Sequence, residues 1–193
     1  MALVPELETC NAIIQGWYGG ERGGEALAEV LTGQYNPCGK LPVTFYRSVN
    51  DLPDFLDYAM TNRTYRYFRG EALFPFGYGL SYTTFSICKP SYKKNKVRVT
   101  IKNTGEREGT EVLQVYIRRI ADTEGPLKTL RAYQRVQLKA GESKTVDIDF
   151  PRDRFEGWDT KSNTMRVVPG KYELMVGSSS ADNDLQKVVV TVK

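Results

Sequence analysis

Hydrophobic and polar positions change their rhythm partway along the chain. From residue 96 onward apolar residues recur at every second position in short runs, with Val97, Val99 and Ile101 in one and Val146, Ile148 and Phe150 in another. A period of two puts each set on one face of a β-strand. Further strand-like runs cover residues 111–117, 135–138, 171–176 and 187–192. Turn-forming residues separate the runs at Asn103-Thr104-Gly105, Ala140-Gly141-Glu142-Ser143 and Pro169-Gly170. About seven short strands at this spacing predict an immunoglobulin-like β-sandwich, of the kind without a cysteine bridge between its sheets.

Before residue 86 the rhythm is different. Ala12-Ile13-Ile14-Gln15-Gly16-Trp17 reads as a buried strand that runs into glycines. Residues 25–32 read as a helix with Leu27, Ala28 and Leu31 on one face, Glu25 at the positive end of its dipole and Gly33 as its stop. Strand, glycine loop and helix in that order make an α/β layout. Asn36-Pro37-Cys38-Gly39 predicts a turn, residues 41–46 an extended segment and residues 47–60 a long surface loop. Arg63-Thr64-Tyr65-Arg66-Tyr67-Phe68 alternates charge and ring, which predicts an edge strand with Tyr65 and Tyr67 on one face. Stacked rings beside arginines also suit a sugar, whose C–H faces are apolar and whose hydroxyls accept hydrogen bonds. Rings and glycines crowd together in residues 73–82, which read as a seam into the next domain. The fold class expected is therefore an α+β chain in two parts, a partial α/β sandwich over residues 1–85 and an all-β immunoglobulin-like sandwich over 86–193.

Composition narrows the function classes more than the fold. With 40% hydrophobic and 26% charged residues among 193, a buried core is feasible. The net charge of +4 is spread thinly, and the longest basic run, Lys93-Lys94-Asn95-Lys96, reads as a solvated turn, so no nucleic-acid partner is expected. No run approaches the roughly 18 apolar residues of a membrane span, and no targeting pattern stands at Met1-Ala2-Leu3-Val4-Pro5-Glu6. No membrane partner is expected, and the compartment stays open. Three widely spaced cysteines, Cys10, Cys38 and Cys88, indicate neither a disulfide framework nor a zinc site. The absence of histidine excludes a Ser-His or Cys-His pair and a histidine-ligated metal, and no cofactor is indicated.

Candidate chemistry is sparse. Glycines 19, 20, 23 and 24 precede a helix and could cradle an anion, but their spacing fits neither the dinucleotide nor the P-loop pattern. A tight strand-to-helix turn is the simpler reading. Glu21, inside that block, is expected to accept hydrogen bonds from loop N–H groups. Asp54 and Asp57, three apart on the long loop, are the other acids weighed for glycoside cleavage, which needs two carboxyls facing each other across a pocket. Trp158, in Phe155-Glu156-Gly157-Trp158-Asp159, reads as a core or corner ring before it reads as a sugar platform. Asn62-Arg63-Thr64 fits the glycosylation acceptor pattern, a short match taken as incidental.

Three ordered blocks, Trp17-Tyr18-Gly19-Gly20-Glu21-Arg22-Gly23-Gly24, Asn36-Pro37-Cys38-Gly39-Lys40-Leu41-Pro42 and Pro75-Phe76-Gly77-Tyr78-Gly79-Leu80-Ser81-Tyr82, resemble the carboxy-terminal part of glycoside hydrolase family 3, the β-glucosidase and β-xylosidase family. Asn103-Thr104-Gly105, the run 109–116, residues 138–143 and Pro169-Gly170-Lys171-Tyr172 resemble the fibronectin type III-like domain that closes many members. The resemblance implies an exo-acting retaining β-glycosidase acting on terminal β-linked glucose or xylose of plant-type oligosaccharides. It also implies that the nucleophilic aspartate lies in an amino-terminal barrel domain and the acid/base glutamate ahead of the Trp17 block, so neither falls within these 193 residues. No catalytic residue is therefore named, and the oligosaccharide partner is expected to be held mainly by upstream domains. Residues 57–68 lean toward the β-xylosidase branch. Two other readings stand beside this one: a stand-alone module that binds carbohydrate or protein without turnover, and an independently active hydrolase, which the missing carboxylates disfavour. Apolar surface around Ile13, Ile14, Trp17 and Leu27 is expected to be exposed and prone to self-association.

Overall fold

The computed structural model describes residues 3–193. Three short helices, α1 (Val4–Thr9), α2 (Gly23–Leu31) and α3 (Thr64–Tyr67), precede nine strands. The strands are β1 (Phe85–Lys93), β2 (Lys96–Asn103), β3 (Gly109–Arg119), β4 (Thr129–Leu138), β5 (Ser143–Asp149), β6 (Gly157–Asp159), β7 (Thr164–Arg166), β8 (Gly170–Gly177) and β9 (Leu185–Val192). Among the described residues, no helix is long and apolar enough to cross a membrane.

Seven strands form a sandwich of two antiparallel sheets, in the orders β1-β2-β5 and β4-β3-β8-β9. The alternating residues of the sequence meet between them. Val97, Val99, Ile101, Val146, Ile148 and Phe150 are all buried, packed against Leu113, Val115 and Leu174 from the other sheet. At the sandwich end, Phe155 lies edge-on to both Phe150 and Tyr172, with ring centroids 5.2 Å apart in each pair. The basic run is a two-residue hairpin turn: Lys93 pairs with Lys96, and Lys94 and Asn95 both take positive φ, as a type I′ turn requires.

The sequence pattern passes over β1, because Pro90 interrupts it and Lys89 takes a φ of 57°, giving a bulge between Cys88 and Ser91. It also passes over the three-residue strands β6 and β7. Their hairpin exposes Trp158, which is 55% accessible, so the expectation of a core ring there is corrected. Alternation is the reason. Asp159 points inward, held by Ser162 and Arg166, so its neighbour Trp158 must point out, and Phe155 takes the core position.

Residues 3–84 are organised differently. Helix α2 forms as its pattern predicts, and Gly33 follows its end at φ 74°. The expected strand at residues 12–17 is not one: Ala12, Ile13, Ile14, Gln15, Gly16 and Trp17 are exposed and have no ladder partner among the described residues. Unpaired N–H and C=O groups cannot make a sheet, whatever the side-chain pattern. Residues 41–45 run antiparallel beside 73–78, joined by Leu41 N–H to Tyr78 O at 2.8 Å, Gly77 N–H to Leu41 O at 2.7 Å and the Phe45–Phe74 bridge.

Candidate functional site

The segment 36–82 is fastened to the outer face of the four-stranded sheet. Tyr116 and Met175, which point away from the sandwich core, are buried beneath Tyr65, Phe76 and Leu130. Tyr65 stacks on Phe76 at 4.2 Å and stands edge-on to Tyr116 at 5.9 Å. This second covering explains why β3 carries apolar residues at consecutive positions: Val115, Tyr116 and Ile117 are buried on alternate faces.

Polar groups lock the same contact. Gln114, buried within β3, donates from Nε2 to the carbonyls of Gly77 and Ser178 and accepts from the Tyr116 hydroxyl. Burial holds the Tyr116 phenol above its ordinary range, with Tyr65 adding to the effect. Gly77 sits at φ 80°, and a Cβ there would collide with the Gln114 amide. Gly79 likewise leaves no room, since a Cβ would meet the Gly39 carbonyl oxygen. Across this close approach Lys40 Nζ donates to Gly79 O at 2.8 Å and pairs with Glu111 at 2.8 Å, both side chains nearly buried. Asn36 completes the seam: its Oδ1 accepts from Ser81 Oγ and Tyr82 N–H, and its Nδ2 donates to Glu108 O. The Pro-Cys-Gly turn and the Phe-Gly-Tyr-Gly block are thus two sides of one joint. Gln114 gives a signal in the sequence, a polar residue inside an apolar run. Lys40 and Glu111, far apart in the chain, give none.

The residues singled out for chemistry fall in several places. Arg63 donates to the carbonyls of Asp54, Asp57 and Ala59, a loop-tying role. The Asp54 and Asp57 carboxylates accept from Leu56 and Ala59 N–H, each two residues on. Glu21 is exposed and accepts no hydrogen bond among the described residues, contrary to the expectation that it braces the glycine loop. Arg63 to Phe68 is not an edge strand either. Positive φ at Asn62 and Thr64 bends the chain into α3, while Asn62 Oδ1 accepts from Arg69 N–H and Tyr46 Oη accepts from Thr64 N–H. Tyr65 consequently faces the sheet, its hydroxyl accepting from Leu130 N–H, and the Arg66 guanidinium lies over the Tyr67 ring at 5.6 Å. The three cysteines are free, and no cluster of His, Cys, Asp and Glu suited to a metal occurs among the described residues.

Two concavities flank the joint. One, of about 430 Å³, is an apolar groove floored by Trp17, Tyr18, Val43, Phe45 and Tyr46. The other, of about 570 Å³, is a polar cleft between α3 with its following loop and the sheet, walled by Thr44, Arg69, Arg118, Lys128, Asp182 and Lys187 among others. Lys128 reaches across it to Ser180 O at 2.8 Å and Asp182 at 2.9 Å, and that pairing holds the Asp182 carboxyl below its usual range.

Comparison with known proteins agrees with this arrangement. Residues 1–82 match the glycosyl hydrolase family 3 C-terminal domain, and residues 111–180 match the fibronectin type III-like domain. A xylan 1,4-beta-xylosidase of Xylanibacter ruminicola is 49% identical over 100% of this chain and 23% of its own length. A periplasmic beta-glucosidase of Salmonella typhimurium is 37% identical over 94% of this chain and 26% of its length. The crystal structure of a beta-glucosidase from Kluyveromyces marxianus superposes with a TM-score of 0.85 at 34% identity, over 98% of this chain and 25% of that one. The chain spans about a quarter of the length of these relatives. It belongs to glycoside hydrolase family 3 and corresponds to the carboxy-terminal part of its members, joining their C-terminal domain to a fibronectin type III-like sandwich.

Proposed function

We propose that this chain serves as the carboxy-terminal portion of an exo-acting retaining β-glycosidase that removes terminal β-linked xylose or glucose, and that it supports the catalytic carboxylates without carrying them. The observation that carries this reading is the match to a xylan 1,4-beta-xylosidase along the whole chain, at 49% identity, over only 23% of that enzyme. It favours xylose at the cleaved end. Retaining cleavage needs two carboxyls about 5 Å apart, one as nucleophile and one as acid/base. Asp54 and Asp57 are engaged by their own loop and Glu21 stands in solvent, which supports placing both catalytic groups upstream. What this chain contributes is rigidity. The joint at Asn36, Lys40 and Gln114 fixes the loops of residues 36–82 against the sandwich, so that upstream domains close on a surface already in place.

In this reading the exposed side chains of Ile13, Ile14, Trp17 and Leu27 pack against upstream polypeptide, and a chain isolated from it self-associates through that face. The test is the mass of the native polypeptide, found with an antibody against this chain, together with hydrolysis of nitrophenyl β-xyloside and β-glucoside. A product several times heavier than 21.9 kDa that turns over the xyloside, beside an inert isolated chain, is the expected result. A native product of this size without turnover would move a binding module to first place.

A further inference from the structure

We infer that the polar cleft between α3 and the four-stranded sheet binds a neutral oligosaccharide. This rests on the glycosidase reading only for the choice of sugars to test; the ligand class comes from the cleft itself. Its volume of about 570 Å³ lies within the roughly 300–1,000 Å³ of small-molecule sites. Its wall holds hydrogen-bonding capacity that the chain does not use. Arg118 lines the cleft from β3, makes no hydrogen bond or ion pair among the described residues, and has its Nε buried without a partner. The hydroxyl of Thr44, a residue that lines both this cleft and the neighbouring apolar groove, is likewise buried and unpartnered. Buried polar atoms are ordinarily paired, so two such atoms at one cleft point to a polar occupant.

The charges select among polar occupants. Four cations, Arg69, Arg118, Lys128 and Lys187, face three carboxylates, Glu71, Glu173 and Asp182. Asp182 holds Lys128 and Lys187, and Glu71 holds Arg47, which leaves Arg69, Arg118 and Glu173 free of ion pairs. A bare anion would meet the acids, and a cation would meet the arginines. A polyol avoids both conflicts, because each hydroxyl accepts from a guanidinium and donates to a carboxylate. Leu127, half-buried in the wall, supplies an apolar patch for the C–H face of a pyranose.

The test is a nuclear magnetic resonance titration of the intact chain with xylobiose and with cellobiose. Saturable shifts at residues around Thr44, Arg118 and Ser180, with a dissociation constant on the order of 1 mM, are expected for at least one sugar. Arg118→Gln should weaken binding at least about tenfold, and Thr44→Val about threefold, with the rest of the amide spectrum unchanged. If Arg118→Gln misfolds, Thr44→Val and Lys187→Met, which sits at the accessible rim, carry the test. Shifts that do not saturate with either sugar, that gather at Trp17 or Trp158, or that appear only with glucuronate or phosphate would overturn the inference. The two readings fail separately. Turnover by the longer native polypeptide without saturation here removes the cleft alone, and saturation without turnover removes the glycosidase reading alone.

Discussion

Residues 3–84 and residues 85–193 hold their shapes by different means. In the second region apolar side chains face each other across two sheets, and sixteen of them form one buried cluster. In the first, only Phe68 and Leu73 are buried among the large apolar residues described, while Trp17, Tyr18, Leu31, Phe55, Leu56 and Tyr58 stand in solvent. The sandwich has a core; the other region borrows one, laying Tyr65 and Phe76 on a sheet whose opposite face is already covered. A region that borrows its core depends on the joint. A region that owns one does not.

The sharpest way to break this contrast is at the joint. Lys40→Met leaves Glu111 nearly buried and unpaired, and should cost about 3–5 kcal/mol in urea unfolding, whereas Lys40→Met with Glu111→Leu should recover much of it. If the single variant is silent, the joint is not what ties the regions together. Next in size is the core. Leu113→Ala should destabilise the sandwich by about 2–5 kcal/mol, while Phe55→Ala should stay within about 0.5 kcal/mol. Limited proteolysis gives the same contrast without a mutation, because cuts should accumulate before residue 85 first; equal resistance throughout would contradict it. The smallest effect concerns pH. Hydrogen bonds from Ser162 and then Arg166 pull the Asp159 carboxyl down to about 2. A carboxyl more acidic in the folded hairpin than in the unfolded chain contributes in full above about pH 4, and that contribution is lost as pH falls toward 2. Amide exchange in β6 and β7 should therefore quicken over that range in the native protein. In Asp159→Asn it should already be quick at neutral pH.

Much of the sandwich was legible because a strand buried on one face prints its geometry as alternation. Val97, Val99 and Ile101 are the plain case. Legibility failed where another constraint prevailed. Residues 12–17 carry the composition of a strand but find no partner to pair with. Residues 63–68 alternate as a strand does, yet Asn62 and Thr64 turn the backbone left-handed and the arginine caps carbonyls instead of lining a face. Trp158 reads as a core ring because rings usually are, and only the inward pull on Asp159 turns it out. The cleft was not legible at all. Thr44, Arg118 and Asp182 lie far apart in sequence and are brought together by the docking of α3 on the sheet.

That docking surface has a consequence for synthesis on the ribosome. The floor on which Phe76 and Tyr65 rest includes Met175 and Leu185, made about 100 residues after them. At about 5–20 residues per second, the aromatic segment waits roughly 5–20 s with nothing to cover it. The nascent chain is therefore in need of a chaperone until the hairpin of β8 with β9 has left the tunnel.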